Sequence, residues 1–206
     1  MRVFTRQSQK ILDVLKIEGV YLAREAFIRD KNQEITDFYL SLYRWLSLQY
    51  KSRSYAYARR IEELKALGLL EAEPNQDFLY PIWLALSEAQ KLPLAEGTVS
   101  LELEVPDDEL LILDYNKWGY RVNQWYIPKD TKDRQAHLKE LERQGIKDES
   151  ALTGSKGNFY PLLKQKIIKS WDRVFDEPDS NIDNNVGVCF EIKSSWLISV
   201  EHGGLS

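Results

Sequence analysis

The chain carries one cysteine, Cys189, and two histidines, His137 and His202, among 206 residues. A single thiol cannot close an internal disulfide, which suits a reducing compartment. One Cys and two scattered His also fall short of the three or four ligands of a usual zinc site. No run approaches the ~18 consecutive apolar residues of a membrane span. The opening MRVFTRQSQKIL lacks an apolar stretch followed by a small-residue cleavage site. These absences lead us to expect a cytoplasmic protein with no metal and no membrane partner. Nucleotide loops of the GxGxxG and GxxxxGK[ST] types are missing, as is the GxSxG nucleophile elbow. A basic excess is missing too: 28 Lys and Arg stand against 32 Asp and Glu, for a net charge of −4. Nucleic-acid binders usually show such an excess or a basic stripe, so a sequence-independent grip on phosphate is not expected as the main task.

What is present is an ordinary globular composition with many rings. The apolar share is 43%, and aromatics reach 12%, with six Trp and eleven Tyr, enough for wide flat contacts in a core or a pocket. No linker or repeat divides the sequence, and its length suits one domain, residues 1–206. RVFTRQ alternates as a strand. SQKILDVLKIEG follows as a short helix between a candidate N-cap, Ser8, and a candidate stop, Gly19. VYLAR reads as a second strand. TDFYLSLYRWLSLQYKSR, with Thr36 as candidate N-cap, and SYAYARRIEELKALG are helical, and LEAEPNQD is a turn. FLYPIWLAL is a strand candidate, and VSLELEV alternates strictly, the cleanest strand in the chain. KWGYRVNQWYI starts as a helix, against which Gly119 counts, and Asp114 with Asn116 suits a turn cap more than a site. KDTKDRQAHLKELERQG is a charged surface helix, and ALTGSKGN is the most flexible in composition. LLKQKIIKSWDRVFD is a helix. VGVCFEIKSSWLISV is a last strand or strand pair, and HGGLS is a tail. Separated helices and strands of this kind predict an α+β domain, with a small mixed or antiparallel sheet and flanking helices.

Five segments, in order, resemble one bacterial family. YRWLSLQYKSR (residues 43–53) is similar to its Y-x-W-[ML]-x-x-Q-M-x-x-R helix, with Tyr50 at the usual Met. YPIWLAL is similar to Y-P-I-W-x-W. LELEVPDDELLILDYNKWGYRVNQWYIP resembles an acidic block in which Gly119 takes the place of a usual His. KSWDRVFD and CFEIKSSWL resemble the closing segments. The family is domain of unknown function 3841, whose name implies no activity. A helical insertion between Arg53 and Tyr80 departs from its pattern. In element order, VFTRQSQKILDVLKIEGVYLAR also resembles the opening of ADP-ribosyltransferase-like domains: a strand ending in H-x-T or a variant, a short helix, Gly and a second strand. Thr5 and Gln7 stand in for the His and Thr. The closing strand of such domains carries a catalytic Glu, and Glu191 takes that place here.

The resemblance implies NAD as substrate and cleavage of its ribose–nicotinamide bond. The transition state is oxocarbenium-like, as in glycoside cleavage. A fixed carboxylate stabilises it, and preorganised groups of that kind contribute about 3–4 kcal/mol each. In this reading Glu191 is the acid, and Thr5 and Gln7 hold a ribose or the nicotinamide amide. Tyr21, Tyr80 or Trp83 stacks the nicotinamide, and Arg53 pairs with the pyrophosphate. The acceptor is a protein or a nucleic acid, and toxins or effectors are common among such domains.

Plainer roles stand beside each of these. Period 2 places Val186, Val188 and Phe190 on one strand face and Gly187, Cys189 and Glu191 on the other, so Glu191 suits a wet face. A buried ion pair with Arg6 or Arg121 is a lesser alternative. Thr5 and Gln7 suit solvent-facing strand positions, Tyr21 and Trp83 suit the core, and Arg53 suits a solvated helix end. Cys189 suits a small hydrophobe. Neither histidine has the sequence setting of a base or ligand. Two other functions remain open. One is a non-catalytic protein- or ligand-binding module. The other is binding or modification of a single-stranded nucleic acid through KSRSYAYARR, where Lys51, Arg53, Arg59 and Arg60 interleave with Tyr55 and Tyr57. Glu191 separates them: an enzyme holds it in a cleft with aromatics and the first strand, and a module leaves it on a flat wet face.

Overall fold

A computed structural model describes residues 1–28, 30–70 and 76–203, which resolve into two compact units, 1–112 with 186–206, and 113–185. The expected turn at 70–77 and the tail from His202 lie partly outside the described residues. Six α-helices and eight short strands are present among the described residues, an α+β architecture.

The first unit opens with β1 (Arg2–Ser8), α1 (Gln9–Glu18) and β2 (Val20–Leu22). The chain turns from α1 into β2 because Gly19 takes φ 75° and donates its N–H to the Leu15 carbonyl at 3.0 Å, a left-handed stop that a Cβ would disfavour. α2 (Gln33–Lys51) starts earlier than the Thr36 cap implies. The Asn32 side chain accepts from the N–H groups of Glu34 and Ile35 and fixes the first turn there. α3 (Tyr55–Ala66) is capped by Ser54, which accepts from Tyr57 N. Leu42 and Leu46 on α2, and Ile61 and Leu64 on α3, are buried at three- and four-residue spacing.

The strands that follow are β3 (Ile82–Leu84), β4 (Thr98–Glu104), β5 (Leu111–Asp114), β6 (Asn185–Cys189), β7 (Glu191–Lys193) and β8 (Leu197–His202). Antiparallel pairing joins β1 to β4, β4 to β8, β2 to β7 and β3 to β6, and β5 is the third strand of the β3–β6 sheet. The strict alternation of β4 sends Val99, Leu101 and Leu103 into the core with Val3, Leu12, Leu15 and Ile192. Each such side chain contributes about 1.5–3 kcal/mol by leaving water. Only Ile82–Leu84 of the FLYPIWLAL segment is extended, and VGVCFEIKSSWLISV supplies three strands, broken at Phe190 and at the Ser194–Trp196 turn.

In the second unit, Asp114 caps α4 (Tyr115–Val122) by accepting from Asn116 N at 2.8 Å and Lys117 N at 3.1 Å. Asp130 caps α5 (Thr131–Arg143), and Pro161 occupies the first turn of α6 (Pro161–Ser170), where its missing N–H is not needed. Ile127 N donates to Ser170 Oγ at 2.9 Å, and Trp171 Nε1 donates to the Trp125 carbonyl at 3.0 Å. ALTGSKGN, flexible by composition, is wound into two 3₁₀ turns, Ser150–Thr153 and Ser155–Phe159. Gly157 is buried there, where a Cβ would run into the Leu152 carbonyl. Gly157→Ala is expected to lower stability by about 1–3 kcal/mol through overpacking. A urea midpoint equal to that of the wild type would contradict this close approach.

Candidate functional site

Glu191 opens β7, opposite Leu22 of β2, and only 5% of it is exposed. Alternation across VGVCFEIK placed it on a wet face. The chain breaks at Phe190, and both sides of the break are covered: Val188, Cys189, Phe190 and Glu191 are all buried. Its carboxylate is held side-on by Arg60 of α3. Nε donates to Oε1 at 3.0 Å and to Oε2 at 3.3 Å, and Nη2 donates to Oε2 at 2.8 Å. The partner is therefore neither Arg6 nor Arg121. Arg6 donates to the Pro93 carbonyl. The Arg121 guanidinium lies 3.9 Å from the Trp171 ring centre, and burial pulls its pKa down to about 10. The hydrogen bond to Glu191 raises the Arg60 pKa further above its ordinary value.

A second cation approaches the same acid. Lys193 Nζ lies 3.5 Å from Glu191 Oε1 and donates to both oxygens of Glu109 at 2.7 Å. Arg59 Nε meets Glu63 at 2.9 Å. The three cations and their three acids line a cavity of about 230 Å³ in the first unit. Its aromatic wall is Tyr50, Tyr57, Phe190 and Trp196. Tyr50 stacks on Phe190 with centroids 5.4 Å apart and planes 14° apart, and Tyr57 packs at 4.3 Å from the same ring. The Tyr57 hydroxyl accepts from Leu79 N at 2.9 Å, and burial pushes its pKa up. Cys189 is wholly enclosed, burial raises its thiol pKa, and it packs as a small hydrophobe.

The cavity is lined by none of Thr5, Gln7, Tyr21, Arg53, Tyr80 and Trp83. Three of these meet one another elsewhere. The buried Thr5 hydroxyl donates to the Trp83 carbonyl at 3.0 Å, and Gln7 Nε2 donates to Thr5 Oγ1 at 2.8 Å. The half-buried Trp83 ring lies 5.8 Å from that of Tyr43. Tyr21 faces Ile192 across the β2–β7 pair, and Tyr80 is a core residue set edge-on to Phe78. Arg53 donates to the Gln49 carbonyl and side chain at 3.1 and 3.0 Å. The solvent-facing position that alternation suits for Thr5 is not what the structure shows: Thr5 is buried, and its hydroxyl is used by the Trp83 carbonyl.

The basic–aromatic stretch is largely neutralised. Lys51 pairs with Asp77 at 2.8 Å, Arg59 with Glu63 and Arg60 with Glu191, while Tyr57 is buried and Tyr55 stays exposed. Sequence reasoning missed two partnerships, Arg60–Glu191 and the setting of His137. His137 is buried, with Nε2 3.0 Å from Glu149 Oε1 and its ring against Tyr126 at 4.3 Å, in a separate cavity of about 700 Å³ in the second unit. Its spacing four residues before Leu141 put it on the apolar face of α5, a signal the surrounding charges hid. No helix among the described residues is long and apolar enough to cross a membrane.

Removing one member of a buried pair leaves the other charge uncompensated, at about 3–5 kcal/mol. Arg60→Ala is expected at the lower end of that range, since its side chain is 31% exposed. The double variant Arg60→Met with Glu191→Leu should recover most of the loss. Chemical denaturation of the three proteins checks this, and a double variant as unstable as the single one would contradict it.

No curated protein and no solved structure matches the chain. One family profile does, over residues 2–62 and 65–198. The ordered segments seen in the sequence and this match over nearly the whole length agree: the chain belongs to the family described as domain of unknown function DUF3841.

Proposed function

We propose that the Glu191 cavity binds a ribose-bearing nucleotide and that the chemistry is transfer or hydrolysis of ADP-ribose from NAD. The observation that carries this reading is a buried carboxylate in the wall of an aromatic-lined cavity, oriented side-on by an arginine. A carboxylate has about four acceptor positions, so Arg60 leaves room for a ribose hydroxyl. The volume, about 230 Å³, lies below the ~300 Å³ usual for ligand pockets. It suits the nicotinamide–ribose half of NAD, with the adenosine half outside. Trp196 and the Tyr50–Phe190 stack offer flat faces in place of Tyr21, Tyr80 and Trp83. In the reaction, the bond from ribose to nicotinamide breaks and its electron pair stays on the nicotinamide nitrogen, which becomes neutral. The ribose carbon bonds to the oxygen of water or of an acceptor, whose proton passes to solvent. Glu191, held in place by Arg60, stabilises the positive charge that develops on the ribose.

Binding without turnover is the second reading, supported by the crowding of Glu191, which Arg60 grips and Lys193 approaches. NAD consumption by the wild type and by Glu191→Gln separates the two. The transferase reading expects turnover that falls at least a hundredfold in the variant, with NAD-induced thermal stabilisation kept. Stabilisation without turnover in the wild type would leave the binding reading standing, and neither effect would remove both.

A further inference from the structure

We propose that Arg60 anchors an anionic group of the ligand, so that the cavity selects phosphorylated ribosides over unphosphorylated ones. This rests on the reading of the Glu191 cavity as the nucleotide site. A guanidinium carries five N–H donors on a rigid plane. Glu191 takes the side edge, through Nε and Nη2. The end edge, formed by one N–H of Nη1 and the second N–H of Nη2, keeps its own pair of parallel donors. The nearest acid there is Glu63, whose Oε2 lies 3.7 Å from Nη1, too far for a hydrogen bond. Glu191 therefore fixes the plane of Arg60 and leaves its second fork for a ligand, and two parallel N–H donors match two oxygens of a phosphate.

The charges around the cavity decide how such an anion is recognised. Arg59, Arg60 and Lys193 are each matched by Glu63, Glu191 and Glu109. Asp108, also in the lining, adds one more negative charge. No net positive field draws an anion in, so recognition depends on the directed donors of the fork. Lysine, a point charge without that fork, is a poor replacement. This also moves the anion-binding role from Arg53, proposed from sequence, to a residue within the cavity.

Nicotinamide mononucleotide and nicotinamide riboside differ by one phosphate. Calorimetric titration of the full chain with each is expected to show the mononucleotide binding at least tenfold tighter. In Arg60→Lys the gap should shrink below threefold. In Glu191→Gln, where the neutralising charge beside Arg60 is gone, it should widen, and inorganic pyrophosphate should displace the mononucleotide from the wild type. Equal affinities in the wild type, a gap undiminished in Arg60→Lys, or a gap unchanged or narrower in Glu191→Gln would overturn the anchor and leave the nucleotide reading intact. If neither compound binds, the anchor and that reading fall together. Should Arg60→Lys not fold, the Glu191→Gln gap and the pyrophosphate competition decide.

Discussion

The side-on pair between Arg60 and Glu191 is the interaction on which the site depends. It ties α3 to the first residue of β7, 131 positions apart in the chain. A carboxylate as buried as this one is costly unless it is paired and hydrogen-bonded, and among the described residues Arg60 supplies the hydrogen bonds. The same contact fixes an acid in a cavity wall and holds a guanidinium flat beside it. Stability and the proposed chemistry would thus be drawn from one geometry.

Around that pair the cavity is built from compensations. Lys193 is shared between Glu109 and the edge of Glu191, and its ammonium also lies 4.9 Å from the Trp196 ring centre. Phe190, next to Glu191 in sequence, is clamped by Tyr50 and Tyr57, and the Tyr57 hydroxyl is bonded to the backbone at Leu79. The residue beside the acid is therefore immobilised by packing while the acid is immobilised by charge. A site held on both counts is preorganised, which is what electrostatic stabilisation of a developing charge requires.

Local signals in the sequence carried much of the fold. Strict alternation marked β4, and the glycine stop marked the end of α1. What failed were inferences that extend a local rule past a break or into tertiary contact. Period 2 carried across Phe190 put Glu191 in water. A helix cap at Thr36 overlooked the Asn32 side chain a turn earlier. Arg60 was visible only as one cation in a basic stretch, because no local pattern links α3 to a strand so far along the chain. Composition made ALTGSKGN look loose, although the close contact of Gly157 with Leu152 requires a residue without a side chain. Thr5, Gln7 and Trp83, each read from the sequence as a candidate contact of NAD, meet one another in the structure, but away from the cavity of Glu191.

That separation defines the most direct measurement. A crystal structure of the protein soaked with ADP-ribose would show where the ligand sits. The expected result is density in the cavity, with a ribose hydroxyl within hydrogen-bonding distance of Glu191 and a phosphate on the Nη1–Nη2 end edge of Arg60. Density beside Thr5 and Trp83 instead, with the Glu191 cavity empty, would contradict it and return Arg60 and Glu191 to a purely structural pair.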